Sequence, residues 1–172
     1  SVSLENARLY EQTAIQERLK QELDIARNIQ LSLLPQKKLV LKGFDIYAHS
    51  QLASQVGGDF YDFINITEDL IGLCVGDVSG KGVPAGLYGA ISMGLLRIGA
   101  LGKEYPYETL KLINSTLCKQ KSGGHDIALC YSILDIENRT IKIANSGLVY
   151  PVYCSGLECD YVKVCGLPLG IV

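Results

Sequence analysis

Two aspartates, Asp59 and Asp77, stand near the ends of one tight hairpin pattern in the stretch VGGDFYDFINITEDLIGLCVGDVSGKGVP. Phe60–Ile66 and Leu70–Val75 each carry the aromatic and branched residues that favour strands, and Thr67-Glu68-Asp69 separates them as a turn. A turn centred on Glu68 sets residue 59 opposite residue 77, with Cβ atoms roughly 5 Å apart. Two carboxylates that close repel each other and lose hydration. A shared proton, an arginine or a divalent cation would compensate, and no Lys or Arg lies in either strand. The residues therefore favour an oxygen-ligated Mg²⁺ or Mn²⁺ site. Solvated strand-end aspartates beside turns are the plainer alternative. Period two puts Asp59, Tyr61 and Phe63 on one face with Ile71, Leu73, Val75 and Asp77, so that face is expected to adjoin the core. Gly57, Gly58 and Gly76 leave room for close backbone approach.

The elements that must position this pair follow from the rest of the chain. Residues 1–34 hold no Gly or Pro and are rich in helix formers, so they predict one long helix. Ile15, Leu19, Ala26, Ile29 and Leu33 keep a four-three rhythm when Glu22 fills the missing step, which suggests a coiled-coil seam as far as about Lys20. ELDIARNIQLSLLP is more apolar and is expected to dock on the globular body. Pro84–Leu101 and Tyr105–Lys119 read as two further helices, the first with Pro in its opening turn. Phe44–Ala48, Ile127–Leu134, Thr140–Ala144 and Val149–Cys154 read as strands. Short connections between strands, with the helices inserted as a block, predict an α+β fold of mainly antiparallel sheets covered by helices.

Composition narrows the function. The chain has 172 residues, with 16 Lys plus Arg against 18 Asp plus Glu, a balance that argues against a protein built to grip nucleic-acid phosphates. No apolar run approaches the ~18 residues of a membrane span, and the charged opening residues do not form a signal peptide. None of the six cysteines forms C-x-x-C, and they read as free, mostly buried thiols of a cytoplasmic protein. His49 and His125 lie far in sequence from any cysteine pair, which disfavours zinc. Gly76-Asp77-Val78-Ser79-Gly80-Lys81-Gly82 misses the nucleotide P-loop, because the spacing is one residue short and Gly follows Lys.

Five segments in order carry a family resemblance from about Glu22 onward: ELDIARNIQLSLLP, VGGDFYDF, GDVSGKGVPAGL, the Ile133-Leu134-Asp135 strand with IANSG, and GLPLG. The chain resembles the SpoIIE/RsbU-type serine/threonine phosphatases of the metal-dependent PPM (protein phosphatase type 2C-like) superfamily. That resemblance implies an α-β-β-α sandwich, with residues 1–20 as a helical, coiled-coil-like linker and 21–172 as the phosphatase domain. It implies a centre of two Mg²⁺ or Mn²⁺ ions on Asp59 and Asp77, with the Val78 backbone carbonyl as a further ligand and a metal-activated water as nucleophile. The implied substrate is a phosphoserine or phosphothreonine on a STAS-type, anti-anti-sigma protein. An upstream sensor such as a GAF or PAS domain is the further partner it implies, and the helix at residues 1–34 suggests a homodimer.

Three departures accompany the resemblance. The family's later TDG-type motif and final aspartate, both metal ligands, are not among these residues, so the C-terminal part of the fold is expected to be absent. Leu148 stands where the family usually has histidine, and Ala128 where it usually has threonine. The alternative function is accordingly a non-catalytic, dimerising signalling module on a degenerate phosphatase fold. In either case Gln21–Leu34, continuous with the linker, is expected to transmit the linker's orientation to the aspartate hairpin.

Overall fold

The computed structural model describes residues 2–51, 55–119 and 124–171. Helix α1 (Val2–Leu33) runs unbroken, as its Gly- and Pro-free sequence requires, and Pro35 follows its end. Residues 3–22 are exposed throughout, while Gln30 and Leu34 are buried against the body. The core element is one antiparallel sheet in the order β3-β4-β5-β6, formed by β3 (Phe60–Asn65), β4 (Leu70–Val78), β5 (Ile127–Asp135) and β6 (Thr140–Ser146). Two short ribbons lie outside it: β1 (Val40–Leu41) with β2 (Phe44–Asp45), and β7 (Val152–Ser155) with β8 (Glu158–Tyr161).

Helices α2 (Gly82–Gly99) and α3 (Pro106–Lys119) cover one face of the large sheet. Their buried residues Ala85, Met93, Leu96, Leu110, Ile113 and Leu117 meet Phe60, Cys74, Val78, Leu129, Tyr131 and Ile133. This is an α+β architecture of antiparallel strands and covering helices, as the sequence pattern predicts.

The covered face is not the one that period two suggested. Phe60, Asp62 and Ile64 of β3 and Gly72, Cys74, Gly76 and Val78 of β4 point into the core. Tyr61, Phe63 and Leu73 are half-buried on the other face, and Val75 there is 55% exposed. Asp62, Gly72 and Gly76 are not apolar residue types, so the true core face looks polar by composition. Each has a local reason to be inside. Asp62 is ion-paired to Arg97 at 2.6 Å, and the two glycines make room for the rings of Tyr131 and Phe60.

The cysteines also differ from expectation. Cys74 is buried, Cys118 and Cys130 are half-buried and Cys165 is exposed. Cys154 and Cys159 form a disulfide across β7–β8. Strand β8 has no counterpart in the sequence reading, which placed a single strand over Val149–Cys154.

Candidate metal centre

Asp59 directly precedes β3, and Asp77 is the penultimate residue of β4. Phe60 pairs with Gly76, so the next positions outward set Asp59 opposite Asp77, the register the turn at Glu68 predicts. The strands are pressed together at this end. A Cβ on Gly76 would collide with the ring of Phe60. A Cβ on Gly58 would lie 2.6 Å from the carbonyl oxygen of Val78. The Val78 carbonyl therefore lies against the residue just before Asp59, while its side chain is 1% exposed in the core.

Partial burial, then the Asp59 charge, then a carboxyl–carboxyl hydrogen bond with Asp59 raise Asp77 above the ordinary carboxylate range. Among the described residues neither carboxylate has a cationic partner. The pair opens into a cleft of about 490 Å³ walled by Tyr47, His49, Tyr61, Val75, Leu148 and Val149.

The donor set suits a hard divalent cation. Mg²⁺ is commonly held by one or two carboxylates together with water, and Asp59 and Asp77 are two carboxylates held side by side by the sheet. It does not suit a two-ion centre. Among the described residues no group of three or more His, Cys, Asp or Glu side chains comes within metal-holding reach of one another. His49 shares the cleft wall but does not complete such a group.

The backbone ahead of Asp59 is tied to α1. Gln30 donates from Nε2 to the Gly57 carbonyl at 2.5 Å and accepts from the Gly57 N–H at 3.2 Å. Arg97 of α2 links the same helix end to the sheet. Its Nη2 donates to the Leu33 carbonyl at 2.6 Å, and its Nε donates to Asp62 Oδ2 at 2.6 Å. The docked half of α1 is thus joined to the loop and strand that carry the site. Sequence reasoning found the docking segment but not Gln30. Residue type gave no signal for it, because Asn28 and Ser32 are uncharged polar residues of the same stretch.

After Asp77, Ser79 Oγ donates to Asp126 at 2.9 Å and accepts from the Asp126 N–H at 3.0 Å. His125 Nδ1 bonds the Ser79 carbonyl at 2.8 Å. These bonds fix the glycine-rich loop leading into α2. Lys81 is the residue before that helix, exposed and without a side-chain capping bond, and the positive φ of Gly80 and Gly82 on either side of it turns the loop sharply into the helix.

A four-stranded antiparallel sheet with two helices on one face and paired aspartates at its β3–β4 end defines part of a protein phosphatase 2C-like domain. The SiaA-PP2C domain of Pseudomonas aeruginosa superposes with a TM-score of 0.75 at 23% identity, over 91% of this chain and 65% of that one. The RsbU and RsbW domains of Rv1364c from Mycobacterium tuberculosis superpose with a TM-score of 0.59 at 26% identity, over 69% of this chain and 34% of that one. Phosphoserine phosphatase RsbU of Bacillus subtilis (strain 168) is 30% identical over 161 residues, which is 91% of this chain and 47% of that protein. The family model for Stage II sporulation protein E (SpoIIE) matches residues 67–172. The chain belongs to the SpoIIE family, within the RsbU-type branch of the PPM phosphatases. It spans about half the length of RsbU. Asp77 and Val78 lie inside the matched segment, and Asp59 lies ahead of it.

Proposed function

We propose that these residues act as a signalling module on the phosphatase fold, in which Asp59 and Asp77 bind one Mg²⁺ or Mn²⁺ without by themselves assembling a hydrolytic centre. The observation that carries this reading is the donor set, two opposed carboxylates with no third ligand among the described residues. Leu148 supports it, since an apolar side chain walls the cleft where the family usually has histidine. The exposed half of α1, with Leu4 and Leu9 bare, fits a helical linker over residues 1–20 that pairs two copies and joins an upstream sensor such as a GAF or PAS domain. Residues 21–172 form the module proper. No helix among the described residues is long and apolar enough to cross a membrane, and we place the module in the cytoplasm.

A second reading has its own support in the likeness to a phosphoserine phosphatase. In it the protein is a metal-dependent serine/threonine phosphatase acting on a phosphorylated STAS-type protein. Asp59 and Asp77 hold the cation, and the Val78 backbone carbonyl, which faces Gly58, is the further ligand. A bound divalent cation would supply charge neutralisation at the phosphate and acidify a water. The chain's own part is to hold two carboxylates against their repulsion, through the β3–β4 register and the Gln30–Gly57 clasp. Further carboxylates would have to come from a longer chain.

The test is a Mn²⁺ titration of this chain and of Asp77→Asn, beside a hydrolysis assay on a phosphoserine-bearing STAS-type protein. Binding near one ion per chain, lost in Asp77→Asn, with no hydrolysis above background, is the expected result. Hydrolysis that disappears in Asp77→Asn would overturn the module reading in favour of the enzyme, and absent binding would overturn the claim that these two carboxylates hold a cation by themselves.

A further inference from the structure

We propose that Cys154 and Cys159 form a reversible redox-modification site, a dithiol–disulfide couple that decides whether the β7–β8 ribbon beside the carboxylate cleft is ordered. The two residues face each other in the ladder, Cys154 opposite Cys159, with Cα atoms 4.1 Å apart. That is the short spacing of a directly opposed antiparallel pair, so the register itself brings the sulfurs together. The turn between them is Gly156-Leu157, with Gly156 at φ 62°, a conformation suited to two-residue hairpins.

Both strands are exposed at every residue, Cys154 and Cys159 included. Neither β7 nor β8 packs on any other helix or strand among the described residues. A lone two-stranded ribbon is marginal in water. Four opposed residue pairs and one covalent link hold this one together, so removing the link removes its main staple. The other cysteines are placed differently. Cys74 lies in the core and Cys118 is on α3, while Cys130 is half-buried on β5. Cys165, exposed just beyond the ribbon, is the one rival for exchange near it.

The ribbon's legs lead to the candidate site. Asn145 Nδ2 donates to the carbonyls of Leu148 at 2.8 Å and of Val164 at 3.0 Å, one on each leg. Ser146 Oγ donates to the Leu167 carbonyl at 2.6 Å. Leu148 and Val149, on the first leg, wall the cleft that holds Asp59 and Asp77. The ribbon is therefore joined to the wall of that cleft through Leu148 and Val149, and Asn145 ties its two legs together at the base.

The chemistry balances as thiol–disulfide exchange. A low-molecular-weight disulfide such as glutathione disulfide accepts two electrons and two protons from the Cys154 and Cys159 thiols. The Sγ–Sγ bond forms and two small thiols leave. The reverse step, driven by excess small thiol, restores both cysteines. The inference concerns this ribbon alone and stands whether or not the module hydrolyses phosphate.

The experiment uses the whole chain, equilibrated with glutathione disulfide or with reduced glutathione. Differential alkylation with peptide mapping identifies which cysteines pair. Hydrogen exchange then follows the amides of residues 152–161. The expected result is a Cys154–Cys159 bond under oxidation and exchange at least tenfold faster in the ribbon after reduction, with α2 and α3 unchanged. Cys154→Ser/Cys159→Ser should show the fast rate under both conditions, and Cys154→Thr/Cys159→Thr serves if that variant folds poorly. Cys165→Ser should behave as the wild type. Equal ribbon protection in both redox states would overturn the proposal, as would oxidation that pairs Cys165 instead.

Discussion

Replacing Arg97 by Met should lower the unfolding free energy by about 2–3 kcal/mol. The Asp62 side chain is 3% exposed, and Arg97 is its ion partner at 2.6 Å. Its other oxygen accepts the Phe63 N–H at 2.9 Å. Without the guanidinium, a buried carboxylate keeps one neutral donor. Removing one partner of a fully buried pair costs about 3–5 kcal/mol. The Arg97 side chain is 43% exposed, so solvent screens the pair and water can replace part of the guanidinium, which lowers the figure. The lost bond to the Leu33 carbonyl adds about 1 kcal/mol or less, and Met keeps most of the methylene packing. With a urea dependence of roughly 1–3 kcal/mol per molar, the midpoint should fall by about 1 M. The assay is urea unfolding of the wild type, Arg97→Met, Asp62→Asn and the double variant. The double variant should be more stable than the sum of the single losses by about 1–2 kcal/mol. A loss under about 0.5 kcal/mol in Arg97→Met, or strictly additive single losses, would refute the idea that this pair joins α1, α2 and β3.

Three further outcomes follow from the same geometry. Gln30→Ala removes both bonds to Gly57 and should cost about 1–2 kcal/mol in urea unfolding; it should also weaken Mn²⁺ binding, because the backbone ahead of Asp59 loses its tie to α1. Gly76→Ala drives a methyl into the Phe60 ring and should cost about 1–3 kcal/mol by thermal unfolding, with weaker Mn²⁺ binding as the strand end shifts. Asp77 is raised above its ordinary 3.8 by burial and by Asp59, so the folded chain holds that proton more tightly than the unfolded chain. Its contribution to stability is therefore present below 3.8 and is lost as pH rises through the raised value. Mn²⁺ must displace the proton, so calorimetric affinity should climb with pH across the same window, and an affinity that stays flat there would refute this account of the pair.

The aspartate pair was legible in the sequence because a tight turn fixes register by counting. Thr67-Glu68-Asp69 leaves little choice, and Phe60 pairs with Gly76 as that count requires. The long helix was legible because nothing in residues 1–34 breaks it. The core face was misread for a physical reason. Period-two reading ranks faces by side-chain polarity, but β3 and β4 bury an ion-paired aspartate and two glycines that exist to accommodate neighbouring rings. Those residues are inside because of partners on α2 and β5 or across the hairpin, which residue type alone does not specify. Consequently the carboxylates lie at the edge of an incompletely covered face, where a cation and water can reach them, and not beside the packed core. The ribbon was missed through a related habit. Cys154 and Cys159 were counted against metal-ligand spacings, whereas four intervening residues around Gly156-Leu157 are what a two-residue turn needs to set two cysteines opposite each other. Cross-strand arithmetic of the kind that located Asp59 and Asp77 would have found this pair as well, because both rest on register set by a turn and not on composition.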